Sequence, residues 1–459
     1  MLTVEIPPSY EQERRYVLGV LLEGFLGLEV RVELSVRRDV QISTGDGRLL
    51  ILSDGLFTVS QDAWLKEASL PRRPLKTFDF SLAGLDARTV SSKVPVIYGR
   101  DPEGRGFFSA SSDRIEIGLD VFGSAFFMLT RYEESVRPER DEHGRFPASA
   151  SLAFKGGFLT RPIVNEYAEI LWACMKRLWP GLERKPREFR TLPSHDVDSP
   201  RYYLFFPKGE ILRSLAGDVV KRGSPLTAAR RLKLWADTAA KRARDPFDTF
   251  GWIMDRSESA GLVSAFNFMA GGSTKQDGPG YSLQHPVIRD LVREVLERGH
   301  EIGFHPSYAT VTDGVKWNDE LRALRAGAQG AEIRGGRQHY LRFEVPATWR
   351  IWNEAGLEYD STLTYADHAG FRCGTCYEFP VYDLERREQM KIRERPTVLM
   401  DATVVSERYM GLGTGSEAQE FVSALKARCR LFDGDFTVLW HNNLLADSES
   451  RELYAGLLI

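Results

Sequence analysis

The chain has four cysteines in 459 residues, too few for a disulfide framework at this length, so reduced thiols are expected. It also has no long uninterrupted apolar run. The stretch from Val17 to Leu28 is broken by Glu23, and Met1 to Pro8 lacks a basic region followed by apolar residues. That pattern predicts neither a signal peptide nor a membrane span, and with the cysteine usage it points to the cytoplasm. The net charge of −3 gives none of the broad basic surplus that would mark nucleic acid as a main partner. No solenoid repeat or low-complexity tract is present. Cys373-Gly374-Thr375-Cys376 has redox or zinc-knuckle spacing, but no second cysteine pair completes a four-ligand site, so it reads as a reduced structural loop.

What is present suits two domains, since the chain exceeds one ordinary domain and carries apolar residues for two sizeable cores. The polar, proline-bearing stretch Pro180 to Pro186 reads as a linker, which divides the chain into 1–185 and 186–459. Before it, Val30, Val32, Leu34 and Val36 alternate with polar residues, and 49–52 and 94–98 read as further strands. A mostly apolar run over 122–134, ending Arg131-Tyr132-Glu133-Glu134, reads as a helix suited to domain contact. The first half is therefore a smaller mixed α/β domain. In the second half, helix signals over 247–261, 286–299 and 346–356 alternate with strand signals over 262–269, 301–305 and 357–363. Ser416 with Gln419 offers a capping box for a further helix before the strand at 435–440. Repeated βα units predict a parallel sheet, closed or nearly closed as a barrel, with its site at the strand C-terminal ends.

Four short segments carry chemistry. In Ser194-His195-Asp196-Val197-Asp198, strand alternation puts both carboxylates on one face, where mutual repulsion is relieved by a cation or a shared proton. An Asx turn before Pro200 is the plain alternative. His305 ends His300-Glu301-Ile302-Gly303-Phe304-His305, a short strand entered from a glycine-stopped helix, and is a candidate metal ligand rather than a packed core histidine. In Arg337-Gln338-His339-Tyr340, the guanidinium of Arg337 could hold Asp196 ionised and aimed. His441 follows the apolar strand Phe436 to Trp440 and could serve as a general acid.

Together, and in this order, these segments resemble the polysaccharide deacetylases, the NodB-homology or family-four carbohydrate esterases. The likeness extends over nearly the whole chain to a bacterial branch in which an uncharacterised N-terminal domain precedes the deacetylase domain. It implies a distorted (β/α) barrel for 186–459. It implies Asp196 as catalytic base, Asp198 and His305 as metal ligands, Arg337 as the group holding the base, and His441 as catalytic acid. The usual second histidine ligand, four residues after the first, is Ala309 here. His339 stands where the family has proline and is the candidate replacement, against mere packing beside Tyr340. The spaced Asp-Val-Asp also occurs in cyclic-amide hydrolase relatives, some of which work without metal.

The expectation is a hydrolase acting on a carbon-nitrogen bond, one that removes an acetyl group from a sugar with a divalent metal, zinc by resemblance. Tyr340 and Trp440 are candidates to line the carbohydrate site. The alternatives are a metal-free hydrolase of another C–N bond such as a cyclic amide, and a non-catalytic glycan-binding protein. One basic segment, from about 201 to 244, interrupts the barrel pattern directly after the Asp-Val-Asp strand. It reads either as solvated helix faces or as a lid whose cations attract an anionic glycan or a phosphate-linked sugar.

Overall fold

The computed structural model describes residues 1–101 and 106–459 and is mixed α/β. Its residues group into two compact units. The first comprises Met1–Arg190, Phe343–Leu399 and Ser423–Thr437; the second comprises Thr191–Arg342, Met400–Val422 and Val438–Ile459. This grouping differs from a single division at 185, because two later segments join the first unit.

In the first unit, six strands lie in the order Val30–Leu34, Leu2–Ile6, Val40–Ser43, Leu49–Leu52, Arg114–Ile117 and Phe108–Ala110. Alternate residues of the inner strands are buried, among them Val4, Ile6, Ile42, Leu50, Leu52 and Ile115, which is how a sheet with one covered face forms. Val30–Leu34 is an edge strand in which half-buried Val30 and Val32 alternate with exposed Arg31 and Glu33, whereas Leu34 is exposed and Val36 lies beyond the strand. Helix Val121–Leu129 has all nine residues buried, and the Asp120 side chain caps its start by accepting from Gly123 N. The single helix expected over 122–134 is broken at Arg131, whose φ of 53° lies in the left-handed region, and resumes as Tyr132–Val136.

That break puts the Arg131 guanidinium in the interior, with Nε 2.8 Å from Glu134 and Nη2 3.0 Å from the Tyr365 hydroxyl. Arg372 meets the same Glu134 carboxylate through two hydrogen bonds of 2.9 and 2.6 Å. All three charged groups are buried, and this cluster is one reason that 343–399 belongs with the N-terminal residues. The four cysteines are free and buried, Cys373 and Cys376 included. The strand expected over 357–363 is only Tyr359–Asp360.

In the second unit, parallel strands Gly335–Gly336, Glu301–Phe304, Ala265–Phe268 and the Thr191–Val197 part of Arg190–Val197 are neighbours in that order. Helix Pro286–Glu297 buries Ile288, Leu291, Val292 and Val295 and delivers the chain through Gly299, at φ 75°, into Glu301–Phe304. Two glycines set the strand spacing. A Cβ on Gly303 would sit 1.9 Å from Asn267 Oδ1, and one on Gly336 would sit 1.9 Å from the Phe304 carbonyl oxygen. The 201–244 segment is helical over Tyr202–Phe205, Lys208–Val220 and Pro225–Ala239. Among the described residues, no helix is long and apolar enough to cross a membrane.

The buried Arg131–Glu134–Arg372 cluster yields a stability prediction. Its two cations overcome the effect of burial, which alone would raise the Glu134 pKa, and lower it from 4.5 to about 2. Glu134→Gln leaves Arg372 without its carboxylate and Arg131 with Glu133 alone, and is expected to destabilise the protein by about 3–5 kcal/mol in urea unfolding at neutral pH. A depressed pKa contributes stability above the unfolded value and loses it as pH falls through the folded value. The difference between wild type and variant should therefore shrink as pH falls below 4.5 towards about 2. Equal unfolding midpoints at neutral pH would show that the cluster contributes nothing.

Candidate active site

The strand register assembles the site. Asp196, Asn267 and Gly303 lie side by side on three strands, and Val197, Phe268, Phe304 and Gly336 form the next row. The residues one step further, Asp198, Met269, His305 and Arg337, therefore leave the sheet together at the strand C-terminal ends, where parallel sheets collect functional groups.

Asp196 is buried, with Oδ1 accepting from Arg337 Nη1 at 2.9 Å and from Asn267 Nδ2 at 2.8 Å. Arg337 is itself fixed, since its Nη2 donates to Ser194 Oγ at 2.9 Å. Burial alone would raise the Asp196 pKa, but His305 and Arg337 hold it below its ordinary value, so the carboxylate is ionised. Asn267 fits here because Gly303 has no side chain to displace it.

Asp198, His305 and His339 each offer one donor atom, and the three atoms lie within 4.8 Å of one another. His305 Nδ1 is 2.6 Å from the Arg337 carbonyl oxygen, which can only accept, so Nδ1 carries the proton and Nε2 is free to be a ligand. His305 Nε2 lies 3.1 Å from Asp198 Oδ1, an ion-pair distance, and neither buried atom has a hydrogen-bond partner beyond the other. Two buried donor atoms facing one another with no further partner are what a cation would satisfy. His339 Nε2 is 3.8 Å from the same Asp198 oxygen, while its Nδ1 is 3.1 Å from Asp277 Oδ1. Asp277 Oδ2 accepts from Thr274 Oγ1 at 2.7 Å and from the amides of Ser273 and Thr274, and the Tyr308 amide donates to the same Oδ1 that faces His339. These contacts keep its carboxyl below the ordinary pKa despite partial burial, so it accepts from His339 Nδ1. The donor set of two imidazoles and one carboxylate fits a divalent ion such as zinc. Asp198, His305 and His339 could hold a metal.

His441 closes the group. Its Nδ1 is 2.8 Å from Asp401 Oδ1, its backbone N–H donates to Asp401 Oδ2, and its Nε2 is 3.6 Å from Asp198 Oδ2. Burial would lower the pKa of His441, but Asp401, Asp198 and Asp196 together raise it to about 10. His195, between Asp196 and the strand interior, is different. Its ring is satisfied by the Trp440 carbonyl oxygen at 2.7 Å and the Tyr454 hydroxyl at 3.1 Å, and burial pushes its pKa down to about 3, so it stays neutral.

Residues 2–180 match a family of unknown function, DUF7033. No curated protein matches the chain. Among solved structures, the chain is similar to a candidate polysaccharide deacetylase from Mycobacterium smegmatis, with a TM-score of 0.38 and 17% identity. That match covers 61% of this chain and 84% of the other.

Asp196, Asp198, His305, Arg337, His339 and His441 thus lie in one cluster. Trp440 does not line it. With 1% exposure and its ring 5.5 Å from that of Tyr454, it is a core residue with no face for a sugar, which corrects the expectation for this position. Tyr340 remains exposed at the rim, its ring edge-on to His339 and Tyr308. Three polar residues were missed by sequence reasoning: Asn267, Asp277 and Asp401. Thr274 and Asp277 form a capping box around Lys275–Asp277, a local signal that could have drawn attention to Asp277. Ala309 lies in the turn Tyr308–Thr310 and supplies no donor.

Asp277 gives the test of this geometry. A carboxylate behind a ligating histidine fixes the ring and raises its basicity, and its loss typically costs about 10–100-fold in metal affinity. Asp277→Asn should weaken zinc binding in calorimetric titration by about that factor, and His339→Ala by more. Unchanged affinity in both variants would remove His339 from the ligand set.

Proposed function

We propose that the second unit is a metal-dependent hydrolase that removes the N-acetyl group from a sugar or polysaccharide, on a strand arrangement of the distorted (β/α) barrel kind. One observation carries the reading: a three-donor cluster, Asp198, His305 and His339, lies beside an arginine-held carboxylate and an aspartate-oriented imidazole. Binding alone has no use for a base and an acid at one place, and the four-part motif resemblance points to the same chemistry.

The roles follow from which atoms are already occupied. Asp196 Oδ1 takes hydrogen bonds from Arg337 and Asn267, so Oδ2 is the oxygen left to remove a proton from the attacking water. Arg337 positions that carboxylate and keeps it charged. His441, its Nδ1 fixed on Asp401, presents Nε2 to the departing amine as the proton donor. A divalent ion held by Asp198, His305 and His339 would supply Lewis acidity toward the acetyl carbonyl and the attacking water. Tyr340, exposed beside His339, is placed to meet a sugar ring.

The experiment is acetate release from an N-acetylated chitooligosaccharide by zinc-loaded protein, with metal content measured on the same samples. Asp196→Asn and His441→Ala should each lower kcat by about 10²–10⁴, with zinc content retained in the His441 variant. Wild-type protein that takes up no divalent ion even when zinc is supplied would overturn the metal-dependent reading and favour metal-free C–N hydrolysis. Zinc uptake without acetate release from any N-acetylated saccharide would overturn the substrate.

A further inference from the structure

We propose that the helical insertion after the Asp198 strand is a docking surface for an anionic lipid bilayer. Residues 201–244 hold eleven Lys and Arg against three Asp and Glu, a net charge of +8 inside a chain whose net charge is −3. The remainder of the chain therefore carries −11, and the positive charge is concentrated in one short segment. Four of these cations are held in ion pairs: Arg201 with Asp248, Arg242 with Asp237, and Arg222 and Arg231 both with the buried Asp218, which ties helix Lys208–Val220 to helix Pro225–Ala239. Others, including Lys208, Arg213, Lys221, Arg230 and Lys233, are exposed.

Charge is only half of the surface. Among the described residues, six of the fifteen exposed large apolar side chains lie in this segment: Leu204, Leu212, Val219, Val220, Leu226 and Leu232. Val220 is 81% exposed and Leu226 61%, values that a globular protein tolerates singly but does not gather in one hairpin without a partner. Helix Lys208–Val220 buries Ile211, Leu215 and Asp218 on one face and shows Lys208, Leu212 and Val219 on another. Helix Pro225–Ala239 buries no residue at all, and Leu226, Arg230 and Lys233 share one of its outward faces. With no residue fully buried, this helix is held by half-buried contacts such as Trp235 stacked on Tyr203 and Arg231 paired with Asp218, and its outward face is left for a second surface to cover.

The mixture selects the partner. A polyanion such as nucleic acid or an acidic glycan would neutralise the cations but leave the leucines and valines in water. A second copy pairing through the same hairpin would bring another +8 charge against this one. The headgroup boundary of an anionic bilayer satisfies both halves, with lipid charge for the lysines and arginines and acyl chains for the apolar residues between them. The inference is independent of the hydrolase reading.

The test is flotation of the full-length protein with phosphatidylcholine vesicles, with and without about one-third phosphatidylglycerol, at low and high salt. Binding is expected only with phosphatidylglycerol and should fall steeply as salt rises. A charge variant, Lys221→Gln with Arg230→Gln and Lys233→Gln, should bind about tenfold or more weakly. An apolar variant, Leu212→Ser with Val220→Ser and Leu226→Ser, should also lose about tenfold, although its charge is unchanged. All six positions are exposed, and circular dichroism with the thermal midpoint verifies that each variant folds. No flotation of wild type with anionic vesicles overturns the proposal. Loss in the charge variant with full retention in the apolar variant overturns it in favour of a polyanion site. Self-association without lipid that the apolar variant abolishes assigns the surface to a second copy.

Discussion

The second unit depends on keeping one carboxylate charged where water is nearly absent. Asp196 has 2% exposure, and its ionised state is maintained by Arg337 on one side and Asn267 on the other. Each of these needs its own support. Arg337 is fixed by Ser194 two residues before Asp196 and starts one step beyond Gly336, where only glycine clears the Phe304 carbonyl. Asn267 needs the bare backbone of Gly303. The packing of four strands thus serves one charge, and the same packing turns His305 Nδ1 onto the Arg337 carbonyl, leaving Nε2 facing Asp198. Arg337 serves twice, its side chain holding the carboxylate and its backbone setting the imidazole tautomer.

A common device recurs around the cluster. His339 and His441 each lean their Nδ1 on a carboxylate, Asp277 and Asp401, and point Nε2 toward Asp198. The surroundings give them different work. His339 lies with two other donor atoms within ligand distance of one another, whereas His441 faces three carboxylates that raise its pKa to about 10. Similar local geometry can in this way hold a cation in one place and a proton in another.

Much of this was legible in the sequence because it is written at short range. The alternation around Asp196 and Asp198, the stripe Ile288 to Val295 stopped by Gly299, and the glycines before His305 and Arg337 are local patterns with local causes. His339 could be nominated from its place beside Arg337. Asn267, Asp277 and Asp401 could not, because each acts across strands or loops that are distant in sequence, and a lone Asn or Asp carries no mark of its partner. Trp440 was misplaced for a related reason: an aromatic at a strand end suits a ligand wall and a core equally well, and only Tyr454 decides it. The helix over 122–134 read as continuous because its apolar pattern runs on past Arg131. The burial of that guanidinium among Glu133, Glu134 and Tyr365 breaks it. Grouping 343–399 with the first unit also rests on long-range pairs such as Arg372 with Glu134, which composition at a linker does not reveal.

The two glycines at 303 and 336 have a consequence for how this unit can vary. At Gly336 an added methyl group would run into the Phe304 backbone, and at Gly303 it would displace the Asn267 amide that holds Asp196, so a larger residue at either position disturbs the site. The rim around Tyr340 and the loop through Ala309 carry no such restriction. Variation in what the site accepts is therefore channelled to its edge, since change at the floor disturbs the setting of Asp196.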